Sequence, residues 1–123
     1  MPTRDIPRDE WISFFDGFSL RHQGWLVTIE VLGSDIGAQV EAMEMPLEGI
    51  SADLNRSGTD IILIFIGREP QEHLTHTVNA PERVRLKQTD DGADEALEIE
   101  SAGLTTLLHF RSTILPELVD GLL

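Results

Sequence analysis

Apolar residues recur at two spacings along this chain, and the change of spacing divides it into elements. Near the N-terminus four aromatic residues fall at i, i+3, i+4 and i+7, the spacing of one helix face: Trp11, Phe14, Phe15 and Phe18. We predict a helix from Pro7 to about His22, with Asp9 and Glu10 suited to its first turn and Gly24 able to end it. We expect the aromatic stripe to dock this helix onto a sheet.

Beyond the helix the apolar residues alternate with period two, which is typical of half-buried β-strands. The alternation predicts strands over 25–31, 36–42, 47–54 and 104–111. Each of the first three strands should turn one set to a common face: Trp25, Val27, Ile29 and Val31; then Ile36, Ala38, Val40 and Ala42; then Ile50, Ala52 and Leu54.

The longest apolar run is six residues, Ile61 to Ile66, and it is apolar on both faces. Such a strand should be central in its sheet and covered on both sides. The N-terminal helix can cover one face. The other face needs a second cover: a short C-terminal helix predicted from Leu115, Pro116, Leu118, Val119 and Leu122, a curl of the sheet, or a second subunit.

The segment 83–100 predicts a β-hairpin with a turn at Asp90-Asp91-Gly92-Ala93. One register aligns the apolar residues on one face and the charged residues on the other. It sets Leu86 opposite Leu97, Val84 opposite Ile99, Arg85 opposite Glu98 and Arg83 opposite Glu100.

These elements predict an α+β fold: an N-terminal helix packed on a twisted, mostly antiparallel sheet of about six or seven strands, followed by a short C-terminal helix. The pattern does not decide whether this sheet also curls towards a barrel. Neither an internal repeat nor a linker interrupts the pattern. We therefore expect one globular domain over residues 1–123, with residues 1–6 as a flexible arm.

Charge and composition exclude several classes of protein. The chain carries nine Lys and Arg against 22 Asp and Glu, for a net charge of −13, so neither nucleic acid nor an anionic membrane surface is an expected partner. There is no cysteine, which excludes disulfides and thiol chemistry. Without a signal-like N-terminus or an apolar run of about 20 residues, we expect a soluble, cytoplasmic protein.

The histidines are the main candidates for chemistry, and His73 with His76 is the only close pair. On a helix this spacing could hold a metal, but the surrounding residues favour a strand, which sends the two rings to opposite faces. His22 is expected to cap the helix, and His109 to point away from Leu108 and Phe110. We assign no metal site to these residues.

Other motifs add no site. The acidic run Asp90, Asp91, Asp94 and Glu95 lacks the ligand spacing of a calcium loop, and the basic stripe Arg83, Arg85 and Lys87 should be neutralised by Glu98 and Glu100. No nucleophile elbow or phosphate-binding glycine loop is present. We therefore assign no catalytic and no cofactor-binding residue, expect no cofactor, and predict that the protein is not an enzyme.

Three segments carry a resemblance to a known family: Ile6 to Trp25, which begins IPRDEW, then MPLEGIS from Met45 to Ser51, and LTHTVNAPERV from Leu74 to Val84. Together they resemble a small bacterial family of single domains without an established activity. The resemblance implies a free-standing bacterial domain. It transfers no functional role to any residue.

Three functional hypotheses follow. The first is a non-catalytic interaction module whose partner is a second copy of itself, as a homodimer, or another protein. The second is a small-ligand-binding domain with a pocket between helix and sheet, walled by Trp11, Phe15, Phe18 and Trp25. The third is a metal-dependent enzyme built around His73 and His76.

Overall fold

A computed structural model describes residues 3–33, 36–54, 60–68, 72–89 and 93–111. In chain order its elements are β1 (Thr3–Ile6), a short 3₁₀ turn (Arg8–Glu10), α1 (Trp11–His22), β2 (Leu26–Gly33), β3 (Gly37–Asp53), β4 (Ile61–Arg68), β5 (Glu72–Asn79), β6 (Arg83–Gln88), β7 (Asp94–Ser101) and β8 (Leu104–Arg111).

The eight strands form one sheet in the order β1-β6-β7-β8-β2-β3-β4-β5, and every neighbouring pair is antiparallel. This confirms the predicted α+β class with one N-terminal helix on an antiparallel sheet. The predicted number of strands was too low. The sheet ends in two edge strands, β1 and β5, and so does not close into a barrel.

Residues 3–6 are not the flexible arm that we predicted. They form β1, which pairs with β6 from Thr3 opposite Lys87 to Ile6 opposite Val84. The Trp11 indole N–H donates to the carbonyl of Ile6 at 2.8 Å and ties this strand to the start of α1. A four-residue strand with polar side chains leaves too short an alternation for its pairing to be detected in the sequence.

Strand β3 replaces two predicted strands and changes partner along its length. Its first half pairs with β2, and its second half pairs with β4. Register shifts interrupt both pairings, and Glu44 has a φ of 48°, a left-handed backbone conformation typical of an irregular strand position. These shifts break the period-two alternation, which is why one long strand resembled two short ones.

The shared face predicted for 36–42 is wrong for the same reason. Val40 lies opposite Glu30 and is exposed, whereas Ala42 lies opposite the buried Ile29 and is partly buried. Because the shift falls between Glu30 and Ile29, residues on either side of it alternate in different phase. Only the end of this segment therefore reaches the core.

Helix α1 covers the edge of β3 that the change of partner leaves open. The Ser19 hydroxyl donates to the carbonyl of Ile50 at 3.0 Å and accepts from the N–H of Ile50 at 2.8 Å. Close by, the N–H of Gly24 donates to the carbonyl of Leu47 and the N–H of Leu47 donates to the carbonyl of Trp25. The helix and the turn after it thus supply hydrogen bonds that a neighbouring strand would otherwise make.

The core lies between α1 and the inner face of the curled sheet. As predicted, the aromatic stripe docks the helix: Trp11, Phe15 and Phe18 are fully buried and Phe14 is partly buried. Buried residues from the strands complete the cluster: Ile6, Val27, Ile29, Leu47, Ile50, Ile62, Ile64, Ile66, Val78, Val84, Leu86, Leu97, Ile99 and Leu108. Strand β4 lies inside the sheet, as predicted, but only one of its faces is fully covered, because Ile61, Leu63 and Phe65 are half-buried.

The hairpin β6–β7 has the predicted register at all four positions. Its charged face differs in one detail. Arg85 contacts both Glu98 and Glu100, whereas the Nε of Arg83 lies 3.3 Å from Oδ1 of Asp5 on β1. Strand β1, which the sequence did not predict, supplies the Asp5 carboxylate that contacts Arg83.

The predicted C-terminal helix falls on residues outside the described part of the chain, as does most of the predicted turn at 90–93. Within the described ranges, the one α-helix is too short and too polar to cross a lipid bilayer.

The hydrogen bonds between Ser19 and Ile50 generate a first prediction. Ser19→Ala removes both bonds and leaves two backbone groups of Ile50 without this partner, so we expect the free energy of unfolding to fall by about 1–3 kcal/mol. Urea unfolding measures the loss. Ser13→Ala on the same helix, where the hydroxyl is exposed, should change stability by less than about 0.5 kcal/mol. Equal losses in the two variants would contradict the role given to Ser19.

Candidate functional site

Strand β5 is the longer of the two edge strands of this sheet. Its eight residues pair with β4 one for one, from Ile61 opposite Asn79 to Arg68 opposite Glu72, without a register shift. In the described part of the chain no strand pairs with β5 on its other side. An edge of this kind presents backbone N–H and C=O groups to a further strand.

The side chains of β5 do not protect this edge. The chain has a net charge of −13, yet the segment from His73 to Asn79 contains no Asp, Glu, Lys or Arg. Leu74 is 43% exposed, and Thr75 and Thr77 are exposed. Natural sheets blunt their edges with charged side chains, proline, bulges or very short strands, and this segment has none of them.

The other edges of the described sheet are protected. Strand β1 is four residues long and contains Arg4 and Asp5. The first half of β3 is irregular and carries Glu41 and Glu44, and its second half lies against α1 through Ser19. The contrast singles out β5 as the candidate site for a partner.

The two histidines of β5 lie on opposite faces, as the sequence predicted. His73 lies opposite Gly67 of β4, and its Nδ1 is 2.7 Å from Oε2 of Glu48 on β3. Because glycine has no side chain, the pair reaches across β4 at this position. Within the described residues no three His, Asp or Glu side chains come close enough together to hold a metal ion.

His76 lies on the inner face, beside a cavity of about 240 Å³ between β5 and the β7–β8 turn. Val31, Ser101 and Thr106 line the same cavity. Burial lowers the pKa of His76, and the negative charge of Glu41 partly offsets that effect by raising it. The lowered pKa favours the neutral ring in the folded protein.

The lowered pKa of His76 generates a prediction of pH dependence. In the folded protein the pKa of His76 lies below the ordinary histidine value of about 6.5, so the unfolded chain binds a proton first as the pH falls. We expect the free energy of unfolding of the wild type, minus that of His76→Asn, to decrease from about pH 7.5 to about pH 5.5. Thr75→Asn, which removes no titratable group, is the control. A difference that stays flat or rises as the pH falls would contradict the assignment.

His22 is buried in the core rather than exposed at the helix end. Its ring stacks on Phe18 at 4.0 Å between centroids and meets Trp25 edge-on at 4.5 Å. Its Nδ1 is 2.9 Å from the carbonyl of Phe18, so the predicted capping contact is present, and its Nε2 is 2.9 Å from Oδ2 of Asp94. The Nε2 of Gln88 also donates to Asp94.

Both ring nitrogens of His22 therefore face oxygen atoms. The carbonyl of Phe18 can only accept, so Nδ1 donates to it, and Nε2 faces the carboxylate of Asp94. No nitrogen of this ring is left to act as a base towards a substrate. The arrangement ties the end of α1 to the end of the β6–β7 hairpin.

We expect Asp94→Ala to lower the free energy of unfolding by about 1–3 kcal/mol, because it leaves the Nε2 of a buried ring without its partner. Asp94→Asn should lose less, because its amide can still donate to Nε2 of the neutral ring. Thermal and urea unfolding compare the two variants. A full loss in Asp94→Asn together with no loss in Asp94→Ala would contradict this account of the contact.

The predicted pocket walled by Trp11, Phe15, Phe18 and Trp25 is absent: the first three are fully buried and fill the core. The space between helix and sheet lies on the other flank of α1. It is an open groove of about 420 Å³ lined by Asp16, Ser19, Leu20, Gln23, Glu48, Gly49, Ile50, Ser51 and Phe65. Ser19 is committed there to the backbone of Ile50.

The remaining charged candidates are engaged with each other. Asp94 contacts His22, and Glu95 lies 3.5 Å from Lys87, whereas Asp90 and Asp91 lie outside the described residues. His109 is exposed whereas Leu108 is buried and Phe110 partly buried, which fits the predicted opposite faces, and its Nε2 lies 3.7 Å from Oε1 of Glu30. The basic stripe is also paired with carboxylates, but only Arg85 contacts the predicted Glu98 and Glu100. Arg83 contacts Asp5, and Lys87 contacts Glu95.

Sequence reasoning missed the edge position of β5 and the contacts of Glu48 and Asp94. Strand order is decided by pairings between distant segments, and each of these contacts joins residues far apart in the chain. One local signal was available. From His73 to Asn79 the chain has seven consecutive residues without Asp, Glu, Lys or Arg, as expected of an edge without protecting charges.

The fold and the exposed edge define an α+β domain with an open antiparallel sheet, one covering helix and one unprotected edge strand within the described residues. The chain belongs to DUF5335, a family of unknown function, whose sequence model matches residues 2–117. It is also similar to an uncharacterized protein of Aquifex aeolicus (strain VF5), with 29% identity over 118 residues that cover 95% of this chain and 100% of that relative. No solved structure matches the chain.

Proposed function

We propose that this protein is a non-catalytic interaction module that binds an extended protein segment by strand addition at the free edge of β5. The unprotected edge carries the proposal: eight regular residues, with no charged side chain from His73 to Asn79. Long edges without protection invite pairing with another chain, and an edge that stayed uncovered would be a liability for aggregation.

In strand addition the backbone supplies much of the affinity, and alternate side chains supply specificity. On β5 one face presents Leu74 and His76 beside the core, and the other presents Thr75 and Thr77. The side chains of a bound segment would therefore contact Leu74 and His76 on one face of the sheet and the hydroxyl groups of Thr75 and Thr77 on the other.

The state of the histidines supports a role without catalysis. Both nitrogens of His22 are engaged, and Nδ1 of His73 is engaged by Glu48. Burial favours the neutral form of His76, whose strand neighbours are threonines. Within the described residues, none of these rings belongs to a group of three His, Asp or Glu side chains that could hold a metal ion.

A second candidate function is the binding of a small ligand in the groove between α1 and the β3–β4 sheet. Its size of about 420 Å³ favours this candidate. Its lining combines the carboxylates of Asp16 and Glu48 with the apolar side chains of Leu20 and Phe65, which would suit a molecule with a cationic group on an apolar body. The groove is open, however, and Glu48 already contacts His73.

We propose the cytoplasm of a bacterium as the location. The absence of cysteine fits a reducing compartment, and the relative from Aquifex aeolicus supports a bacterial source.

The strand-addition proposal is tested with an extended peptide unrelated to this chain, in which threonine and valine alternate between terminal lysines. We expect saturable binding to isotope-labelled protein, with amide shift changes concentrated in β5. The same peptide methylated on alternate backbone nitrogens should not bind, because it cannot donate to the edge.

Absence of binding at millimolar peptide, or equal binding of the methylated peptide, would contradict strand addition. Shift changes confined to the residues of the α1 groove, such as Leu20 and Ser51, would instead favour the ligand-binding candidate. Thr75→Lys with Thr77→Lys should weaken binding of this cationic peptide. Ala38→Lys with Val40→Lys, on the exposed first half of β3, is the matched control.

A further inference from the structure

We infer that the segment bound at the β5 edge is β5 of a second copy of this chain, paired antiparallel about a two-fold axis at His76. The two sheets then form one continuous sheet across both copies. This inference rests on the proposed strand addition and names its partner.

The sequence of β5 is symmetrical about His76. Threonine stands on each side of it, followed by an aliphatic residue and then a neutral polar residue: Thr75 and Thr77, Leu74 and Val78, His73 and Asn79. When two such strands run antiparallel with His76 opposite His76, like side chains meet like. Thr75 lies opposite Thr77 of the second copy, and Leu74 lies opposite Val78 of the second copy.

Hydrogen-bond geometry limits the alternative registers. Residues of a strand turn their N–H and C=O groups alternately towards one neighbour and the other, so a symmetrical pair must place some residue opposite itself. An axis at Thr75 would set Leu74 opposite His76, and an axis at Thr77 would set His76 opposite Val78. Each places an imidazole against an aliphatic side chain, whereas the axis at His76 pairs Leu74 with Val78.

Charge favours a second copy over a basic partner. Two molecules of net charge −13 repel, but His73 to Asn79 brings no acidic residue to the contact. Two carboxylates of β3 act on these histidines within one copy: Glu48 contacts His73, and Glu41 raises the pKa of His76. Between His73 and Asn79 a basic segment would therefore find no carboxylate on β5, whose one acidic residue is Glu72 at its start.

The state of His76 is compatible with a place on the axis. Burial lowers the pKa of this ring, which keeps it neutral at slightly alkaline pH, so two rings meet without like-charge repulsion. The cavity of about 240 Å³ beside His76 leaves room for the rings to adjust. At the end of the strand, the Ser101 hydroxyl donates to the carbonyl of Asn79 and marks the limit of the uncovered edge.

The contact is short, so the dimer should be weak. An interface of about seven residues on each strand falls at the small end of specific interfaces, and we expect a dissociation constant on the order of micromolar or weaker. Sedimentation velocity over a wide range of protein concentrations measures this equilibrium. A species that remains monomeric up to about 1 mM would overturn the inference.

Substitution of Thr75 and Thr77 by charged residues tests the register. Both are exposed, so substitution should leave the fold intact. In the variant Thr75→Lys with Thr77→Lys, each lysine faces a lysine of the second copy, and we expect the dissociation constant to rise about tenfold or more. The variant Thr75→Glu with Thr77→Glu should lose the dimer likewise. Mixing the two variants should restore a heterodimer.

The lysine pair Ala38→Lys with Val40→Lys, at exposed positions of β3, controls for added positive charge and should leave the dimer unchanged. A dimer that persists in both charged β5 variants, or that responds to the β3 control instead, would overturn the pairing through β5.

Disulfide trapping gives a second readout of the register, because the chain has no cysteine of its own. Directly opposite residues of an antiparallel pair have Cα atoms about 4.5–5.5 Å apart, within reach of a disulfide, whereas diagonal neighbours are too distant. Thr75→Cys mixed with Thr77→Cys should form a mixed covalent dimer under mild oxidation. Faster cross-linking of either variant with itself would contradict the axis at His76.

The two proposals fail separately. If the wild type stays monomeric but binds the threonine–valine peptide at β5, the second copy is wrong and strand addition stands. If the wild type dimerises but the charged β5 variants dimerise equally, the interface lies elsewhere and strand addition at β5 loses its support.

Discussion

The structure depends on how the backbone hydrogen bonds of β3 are satisfied. This strand pairs with β2 along its first half and with β4 along its second, so each half leaves one edge without a strand neighbour. Helix α1 covers the second open edge through Ser19 and the backbone around Leu47, and its aromatic stripe fills the space beneath. Within the described residues, one helix therefore both supplies hydrogen bonds to the second half of β3 and closes the core.

The edges of the sheet that lack a strand neighbour also bear on function. Every described edge other than β5 is short, irregular, acidic or covered, whereas β5 is long, regular and uncharged from His73 to Asn79. Net negative charge disfavours contacts between acidic surfaces, and the edge of β5 has no charged side chain from His73 to Asn79. The threonine-rich symmetry about His76 adds a pattern that an edge exposed only to solvent does not need.

Local periodicity predicted the elements whose partners lie close in the chain. The register of β6 and β7 followed from alternating apolar and charged residues on two adjacent strands, and the burial of Phe15 and Phe18 followed from helical spacing. Features set by distant pairings escaped prediction. The register shifts of β3 made one long strand look like two short ones in the sequence. The four residues of β1 give too short a pattern to detect. The contact between His22 and Asp94 joins residues 72 positions apart. The edge position of β5 belongs to this second group.

The most direct test of the account is hydrogen exchange at the amides of β5, measured by NMR at low and high protein concentration. Amides of β5 that are bonded to β4 should exchange slowly at both concentrations, because that pairing is internal. Alternate amides on the free edge should exchange fast in dilute protein and markedly more slowly at high concentration, since a second strand then covers them. Exchange of those amides that is equally fast at all concentrations, while the rest of the sheet stays protected, would contradict the central claim.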